Sequence, residues 1–239
     1  MHHLSAIHIR VLLATLGALL LPAVAVAHSP SVDRDAPATP AQAVVLEDPT
    51  LSRAIGATIA APGEVDWYRM DLKAGDPLVV GMTAPDATGQ VAATFVLVGP
   101  GLPDAAEAGD WAASLAAEAG VTGAIVFTPD PTPEIQNHAG LGFVQYGQVS
   151  LTTPVDGSYW VAVYAVDPMA TGKYVLAPGV REEFGADAVG GMADLIAFFN
   201  EPWPPAPAAS PAESPTPSAS AAGSPSVAPS AAPSAAPYA

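Results

Sequence analysis

Short apolar runs recur between Ala43 and Ala177, and Gly, Pro or Asp residues separate them. The chain carries 27 prolines and 21 glycines, and both residue types destabilise the interior of a helix. In several runs the apolar residues alternate, as in Tyr68, Met70 and Leu72, which is the period of a strand with one buried face. This pattern argues against a mostly helical protein and favours many short strands joined by turns.

The number and spacing of these runs predict an all-β fold, an antiparallel β-sandwich of jelly-roll or immunoglobulin-like type with about eight or nine strands. The sandwich domain is predicted to span residues 43–185. The run Ala92–Val98 is apolar on both faces, as expected for a strand in the middle of a sandwich. The predicted strands are Ala43–Leu46, Arg53–Ala60, Val65–Leu72, Pro77–Thr83, Ala92–Val98, Gly123–Thr128, Gly142–Thr152, Ser158–Val166 and Lys173–Ala177.

Two segments depart from the strand pattern. Asp104–Gly120 is rich in alanine and indicates either a helical insertion or a long loop, because Gly109 weakens the helical interpretation. Near the end of the domain, four apolar residues stand at helical spacing and predict a short amphipathic helix over 186–200 that packs on the sandwich or on a partner. These four residues are Met192, Leu195, Ile196 and Phe199.

Residues 1–27 have the features of a secretory signal peptide. Arg10 precedes the apolar run Val11–Leu21, and Ala25-Val26-Ala27 offers small residues at the cleavage site. We expect cleavage after Ala27, with no stable membrane span afterwards. The chain is therefore predicted to be secreted, in an extracellular or cell-envelope location.

Two segments flank the predicted domain and have no core-forming pattern. Residues 28–42 are a Pro-rich lead that we expect to be flexible. Residues 201–239 are rich in Pro, Ser and Ala, and are predicted to form a disordered, extended tail.

The charge of the chain excludes several function classes. The net charge is −16, and no Lys or Arg lies between Lys73 and Lys173. A nucleic-acid partner needs a cationic face to displace counterions from phosphates, so none is expected, and an anionic membrane surface is disfavoured for the same reason. The chain has no cysteine, which excludes disulfides, thiolate metal sites and a cysteine nucleophile.

Four segments carry a family resemblance. Residues 63–78 read GEVDWYRMDLKAGDPL, 95–100 read FVLVGP, 154–163 read PVDGSYWVAV and 171–176 read TGKYVL. In this order they resemble the bacterial pre-peptidase C-terminal domain, over roughly residues 54–179. The resemblance implies a jelly-roll-like β-sandwich, found on secreted enzymes and often beside peptidases, that serves as an accessory module. No peptidase domain is recognisable here, and the 104–140 insertion is longer than the usual module.

Histidines and carboxylates are the residue types of this chain that could form a catalytic or metal site. After cleavage only His28 and His138 remain, and neither a G-x-S-x-G nor an HExxH motif occurs; we expect no enzyme and no obligatory cofactor. The α-amine and imidazole of His28, joined by His138, are candidate copper ligands, although His28 also reads simply as the first residue of a flexible lead. Loop carboxylates are candidate calcium ligands or, alternatively, solvated acids. These are Asp130, Asp156 and Asp167.

Tryptophans that escape the core are candidates for ligand binding. The candidates are Trp67, Trp111 and Trp160. Trp67 and Trp160 are predicted on the sheet face opposite the core tyrosines; the alternative is that all three pack within the domain.

The preferred hypothesis is a secreted, non-catalytic binding or accessory module that recognises an extracellular protein or polysaccharide at the cell surface. The alternative is an exported metal-binding protein that holds calcium or copper.

Overall fold

The fold is seen in a computed structural model of the 239-residue chain. The structure describes residues 29–34, 36–86, 90–138, 141–183 and 186–203, without the side chains of 138, 141 and 186–189. The predicted signal peptide, His28 and the tail from residue 204 onward lie outside the described residues. The described residues belong to one compact unit.

Eleven strands and two α-helices make up the described part of the chain. The six-stranded sheet has the order β1-β3-β11-β5-β9-β8, and the five-stranded sheet has the order β2-β4-β10-β6-β7. The strands are β1 (Ser29–Asp33), β2 (Val44–Val45), β3 (Arg53–Ile59), β4 (Val65–Leu72), β5 (Pro77–Pro85), β6 (Ala93–Val98), β7 (Ala124–Val126), β8 (Glu134–His138), β9 (Leu141–Thr152), β10 (Gly157–Ala165) and β11 (Gly172–Pro178). A 3-10 helix spans Pro40–Gln42, and the α-helices are α1 (Asp110–Glu118) and α2 (Ala186–Asn200).

The predicted all-β sandwich is confirmed, with differences in detail. The sheets are mixed rather than purely antiparallel, because β1 pairs with β3 and β2 pairs with β4 in parallel. The lead expected to be flexible contributes β1 instead, and residues expected to form a loop contribute β8. Both are short, largely polar strands at the edge of the sheet. Their extended conformation depends on pairing with the neighbouring strand more than on the alternation of their own residues.

Three apolar layers hold the elements together. The central layer lies between the two sheets and contains Tyr68, Tyr159 and Tyr174, all fully buried. A second layer lies between the five-stranded sheet and α1, and a third between the six-stranded sheet and α2. Each sheet is thus partly covered on its outer face, and every residue of β6 is buried, as its sequence predicted.

The alanine-rich insertion forms α1, so the helical interpretation of Asp104–Gly120 is confirmed. Gly109 does not interrupt this helix, because it stands just before the first residue with a φ of 109°, a backbone conformation that glycine adopts without strain. The buried residues Ala112, Leu115 and Ala116 follow helical spacing and face the sheet.

Two glycines allow α2 to approach the six-stranded sheet closely. A Cβ added at Gly56 of β3 would overlap the Leu195 side chain, and one at Gly191 would overlap the Pro30 carbonyl oxygen of β1. Leu195 and Phe199, which the sequence placed on the apolar face, are buried in the third layer. Phe198 joins them there. The predicted amphipathic helix therefore packs on the sandwich.

Replacing Gly99 by alanine is expected to destabilise the protein by about 1–3 kcal/mol, the usual cost of overpacking a core. The added Cβ would overlap the Tyr159 ring. That ring cannot move freely, because its hydroxyl oxygen lies 2.9 Å from the Pro100 carbonyl oxygen and 2.8 Å from that of Val155. Urea unfolding measures the change. Gly81→Ala is the control, since its nearest neighbours would stand at an ordinary 3.5 Å; equal losses in both variants would contradict the explanation.

Candidate functional site

Of the three candidate tryptophans, Trp111 has the most exposed side chain. Alternation placed Trp67 and Trp160 on the outer face of the five-stranded sheet, but α1 covers part of that face. Trp67 is fully buried there, so it cannot be a surface platform. Trp160 is half-buried, and its indole Nε1 donates to the Pro40 carbonyl at 3.3 Å. Trp111 in the first turn of α1 keeps 49% of its surface exposed.

Trp111 does not stand alone on this face. Its ring meets the ring of Tyr164 edge-to-face, with centroids 5.7 Å apart and an interplanar angle of 81°. Tyr164 pairs across strands with the half-buried Val65. We call Val65, Trp111 and Tyr164 the aromatic patch. It is an apolar surface beside α1, with its indole braced by a neighbouring ring.

The aromatic patch stays uncharged near neutral pH. Burial raises the pKa of Tyr164, and a hydrogen bond with Trp111 opposes this only in part. The phenol therefore remains protonated and can donate or accept a hydrogen bond at the rim of the patch. The arrangement suits contact with a ligand surface that is partly apolar and partly polar.

The structure describes only part of the candidate metal-ligand set. His28 is outside the described residues, and His138 is the last residue of β8, in a hairpin with β9, rather than part of a loop. Asp130, Asp156 and Asp167 each accept backbone hydrogen bonds near turns. In the described ranges no group of three or more His, Asp or Glu side chains is arranged to hold an ion.

Local partners account for each of these three carboxylates. Asp130 accepts from the Thr132 amide at 2.8 Å and Asp167 from the Met169 amide at 2.9 Å. Asp156 accepts from the Ala74 amide at 2.8 Å, which lowers the pKa of its carboxyl. Such bonds stabilise turns between strands.

The most perturbed carboxyl was not anticipated from the sequence. Asp66 is fully buried between the sheets, where burial raises its pKa to about 8. Tyr174 donates to Asp66 Oδ2 at 2.6 Å, and the Tyr68 and Tyr174 hydroxyl oxygens are 3.0 Å apart. A buried acid with a raised pKa can signal a catalytic site. Here no surface of the carboxyl reaches solvent, so the group is structural.

The Asp66 carboxyl carries its proton in the folded protein at neutral pH. Its Oδ1 is buried and accepts no hydrogen bond, which is costly for a charged carboxylate and far less so for a neutral acid. The nearby carboxylates of Glu64 and Asp33 also favour the protonated form of Asp66, since both raise its pKa further. An Asp-Trp-Tyr sequence within a strand gives no sign of this, because the effect depends on residues from other strands.

Comparison with known proteins does not identify a family for this chain. No protein-family model matches the chain. No curated protein matches it either. Among solved structures, the chain is similar to PliG of Aeromonas hydrophila, a periplasmic lysozyme inhibitor of g-type lysozyme, at 16% identity and a TM-score of 0.37; the alignment covers 63% of this chain and 98% of that one. A TM-score this low supports no conclusion about function.

In the described ranges, no helix combines the length and the apolar character needed to cross a bilayer.

Proposed function

We propose that this chain is a secreted, non-catalytic binding module of pre-peptidase C-terminal type, which recognises a protein or a carbohydrate polymer at the cell surface. The observation that carries the proposal is the aromatic patch, with Trp111 half-exposed and braced against Tyr164. The signal-peptide features of residues 1–27 support export. The ligand is proposed to lie across the patch.

The placement of the motif segments supports the family part of the proposal. β4 and β6 both pair with β10, so three of the four segments stand side by side in the middle of the five-stranded sheet. The fourth segment forms β11 in the facing sheet, where Tyr174 meets Tyr68 of β4. The segments that carry the resemblance therefore build one continuous core.

The physical character of the patch supports recognition. Tryptophan and tyrosine contribute much of the free energy at binding interfaces, because they bury a large area and have few rotatable bonds. The edge-to-face contact with Tyr164 restrains Trp111 before any ligand arrives, which lowers the entropy lost on binding. Isolated exposed apolar residues are common, whereas a contiguous group that includes two aromatic rings is a reason to propose a contact surface.

Replacing Trp111 by alanine is expected to weaken ligand binding by more than tenfold, about 2 kcal/mol, as for a residue at the centre of an interface. The mature protein is immobilised and exposed separately to cell-wall polysaccharide and to secreted proteins of its native source. Material retained by the wild type is then titrated by calorimetry against both proteins. Met169→Ala is the control, because Met169 is 72% exposed and lies outside the patch.

The outcomes separate the parts of the proposal. Retention of polysaccharide or of one protein, lost in Trp111→Ala and kept in Met169→Ala, supports the patch and identifies the ligand class. Undiminished binding by Trp111→Ala would disprove the patch as the site. Binding that needs calcium or copper and disappears in EDTA would favour the alternative, an exported metal-binding protein.

A further inference from the structure

The edge of the six-stranded sheet at β8 is open. In the described part of the chain, no element follows β8 in that sheet, and the side chains of residues 134–137 are all exposed. A strand at an edge presents unpaired N–H and C=O groups to any extended chain that approaches. β8 contains neither proline nor lysine, two residues that commonly protect such edges.

The other edges of the two sheets are less available. α2 packs against β1 at the opposite edge of the same sheet, with Gly191 directly against the Pro30 carbonyl. In the five-stranded sheet the edges are β2, with two residues, and β7, with three. β8 is therefore the edge that offers the longest uncovered ladder in the described ranges.

The side chains around β8 indicate the chemistry of a partner. Ile135 is 57% exposed, although isoleucine favours burial between strands. A Cβ built at Gly142 would lie 3.5 Å from Ile135 Cγ2 and 3.6 Å from Asp86 Oδ2, so these two side chains flank the same glycine. Glu134 precedes Ile135 in β8 and therefore points to the opposite face of the sheet, and the sequence between Lys73 and Lys173 contains no Lys or Arg. The edge thus presents an apolar side chain with the Asp86 carboxylate near it on one face, and the Glu134 carboxylate on the other.

We propose that the outer edge of β8 is a strand-addition site for an extended, basic segment of another protein. Main-chain hydrogen bonds to β8 supply affinity, as in other cases of strand addition to a sheet edge. An apolar side chain of the segment covers Ile135 on one face of the sheet, and its lysines or arginines point to the other face, towards Glu134. This surface belongs to the edge of the six-stranded sheet and is independent of the aromatic patch.

The probe is a fluorescent peptide of four Lys-Val repeats, capped at both ends. Binding to the mature protein is followed by anisotropy at several salt concentrations. Two further peptides share its length: four Glu-Val repeats, and the Lys-Val peptide methylated on alternate backbone nitrogens, which keeps the charge but cannot complete a ladder. We expect the Lys-Val peptide to bind, the other two to bind at least about tenfold more weakly, and hydrogen exchange to slow at residues 134–138.

Two variants with the same charge change test the position of the site. Ile135→Lys places a like charge and removes the apolar contact, so we expect about a tenfold weaker affinity. Met169→Lys adds the same charge on an exposed loop residue and should retain binding. Equal weakening in both variants, or equal binding of the methylated peptide, would show general attraction to an acidic surface and overturn the proposal.

Two more results would also overturn the proposal of strand addition at β8. One is no binding of the Lys-Val peptide at any salt concentration, with unchanged exchange in β8. The other is a dimer of the wild-type protein, seen by sedimentation and lost in Ile135→Lys, which would make a second copy of this chain the occupant. The exchange measurement on the wild type keeps the test valid even if a variant folds poorly.

Discussion

The Asp66→Asn variant should remove most of a fall in stability that the wild-type protein shows between about pH 4 and pH 8. The folded pKa of Asp66 is about 8, against an ordinary value of 3.8. Between these values the folded protein holds a proton that the unfolded chain has released, so raising the pH favours unfolding. The loss is about 1.4 kcal/mol per pH unit within that window, and it ends above the folded pKa.

Asparagine keeps the shape of the side chain and one acceptor for the Tyr174 hydroxyl, but it does not titrate. The unfolding free energy of Asp66→Asn is therefore expected to equal or exceed that of the wild type at pH 8, and to lose this advantage towards pH 5. Urea unfolding at half-unit pH intervals measures the difference. Because the net charge of −16 also makes stability depend on pH, the informative quantity is the difference between the two proteins at each pH.

Asp130→Asn is the matched control, because it makes the same substitution in an exposed turn. This variant should not gain unfolding free energy over the wild type towards pH 8. If Asp66→Asn shows no such gain either, then Asp66 does not hold a proton in the folded state, and the account of the Tyr68–Tyr174–Asp66 network is wrong.

Lys173→Met is expected to lower the unfolding free energy by about 2–5 kcal/mol, since it leaves two carbonyl oxygens without their donor. The Lys173 ammonium is buried against the end of α2, where it donates to the Phe198 carbonyl at 2.5 Å and to the Glu201 carbonyl at 2.6 Å. It also lies 4.9 Å from the centre of the Phe198 ring. Burial lowers the pKa of Lys173, and the Glu201 carboxylate counteracts this.

The same substitution at Lys73 provides the control. The Lys73 side chain is 78% exposed and pairs with Asp156 at 3.2 Å, and such surface pairs contribute roughly 0–1 kcal/mol. Hydrogen exchange should locate the effect of Lys173→Met in α2, whose last carbonyls lose a favourable cation. A loss no larger than that of Lys73→Met, or faster exchange spread evenly over the sheets, would contradict this role.

Sequence patterns predicted the central strands well because their faces differ in character. β4 has the predicted bounds, and its alternation correctly placed Tyr68 and Met70 inside. β1 and β8 lacked such a contrast. Their residues are polar or mixed, and hydrogen bonds from a neighbouring strand, which a local pattern does not encode, decide their conformation.

The candidate site depended on contacts between distant segments. Alternation correctly put Trp67 on the face away from the tyrosines, but which part of that face is covered depends on α1, a helix inserted more than forty residues later in the chain. The same is true of Asp66, whose proton is retained because of burial, against the hydrogen bond from Tyr174 of β11 and with the help of the nearby Glu64 and Asp33 carboxylates. Local patterns thus predicted directions of side chains, and the fold decided their exposure.

The contact between β1 and α2 determines how the domain would respond to mechanical load. β1 is the first described element and α2 the last helix, and the Arg34 guanidinium just after β1 binds both carboxylate oxygens of Glu201 at 2.5 and 2.7 Å. A stretching force applied at Ser29 and Glu201 therefore acts first on the contact between α2 and β1, on the solvent-exposed Arg34–Glu201 ion pair and on the Lys173 hydrogen bonds to the end of α2. The ladders that β3 forms with β1 and β11 would carry the force only after α2 had detached, so the domain would extend in steps before its sheets ruptured.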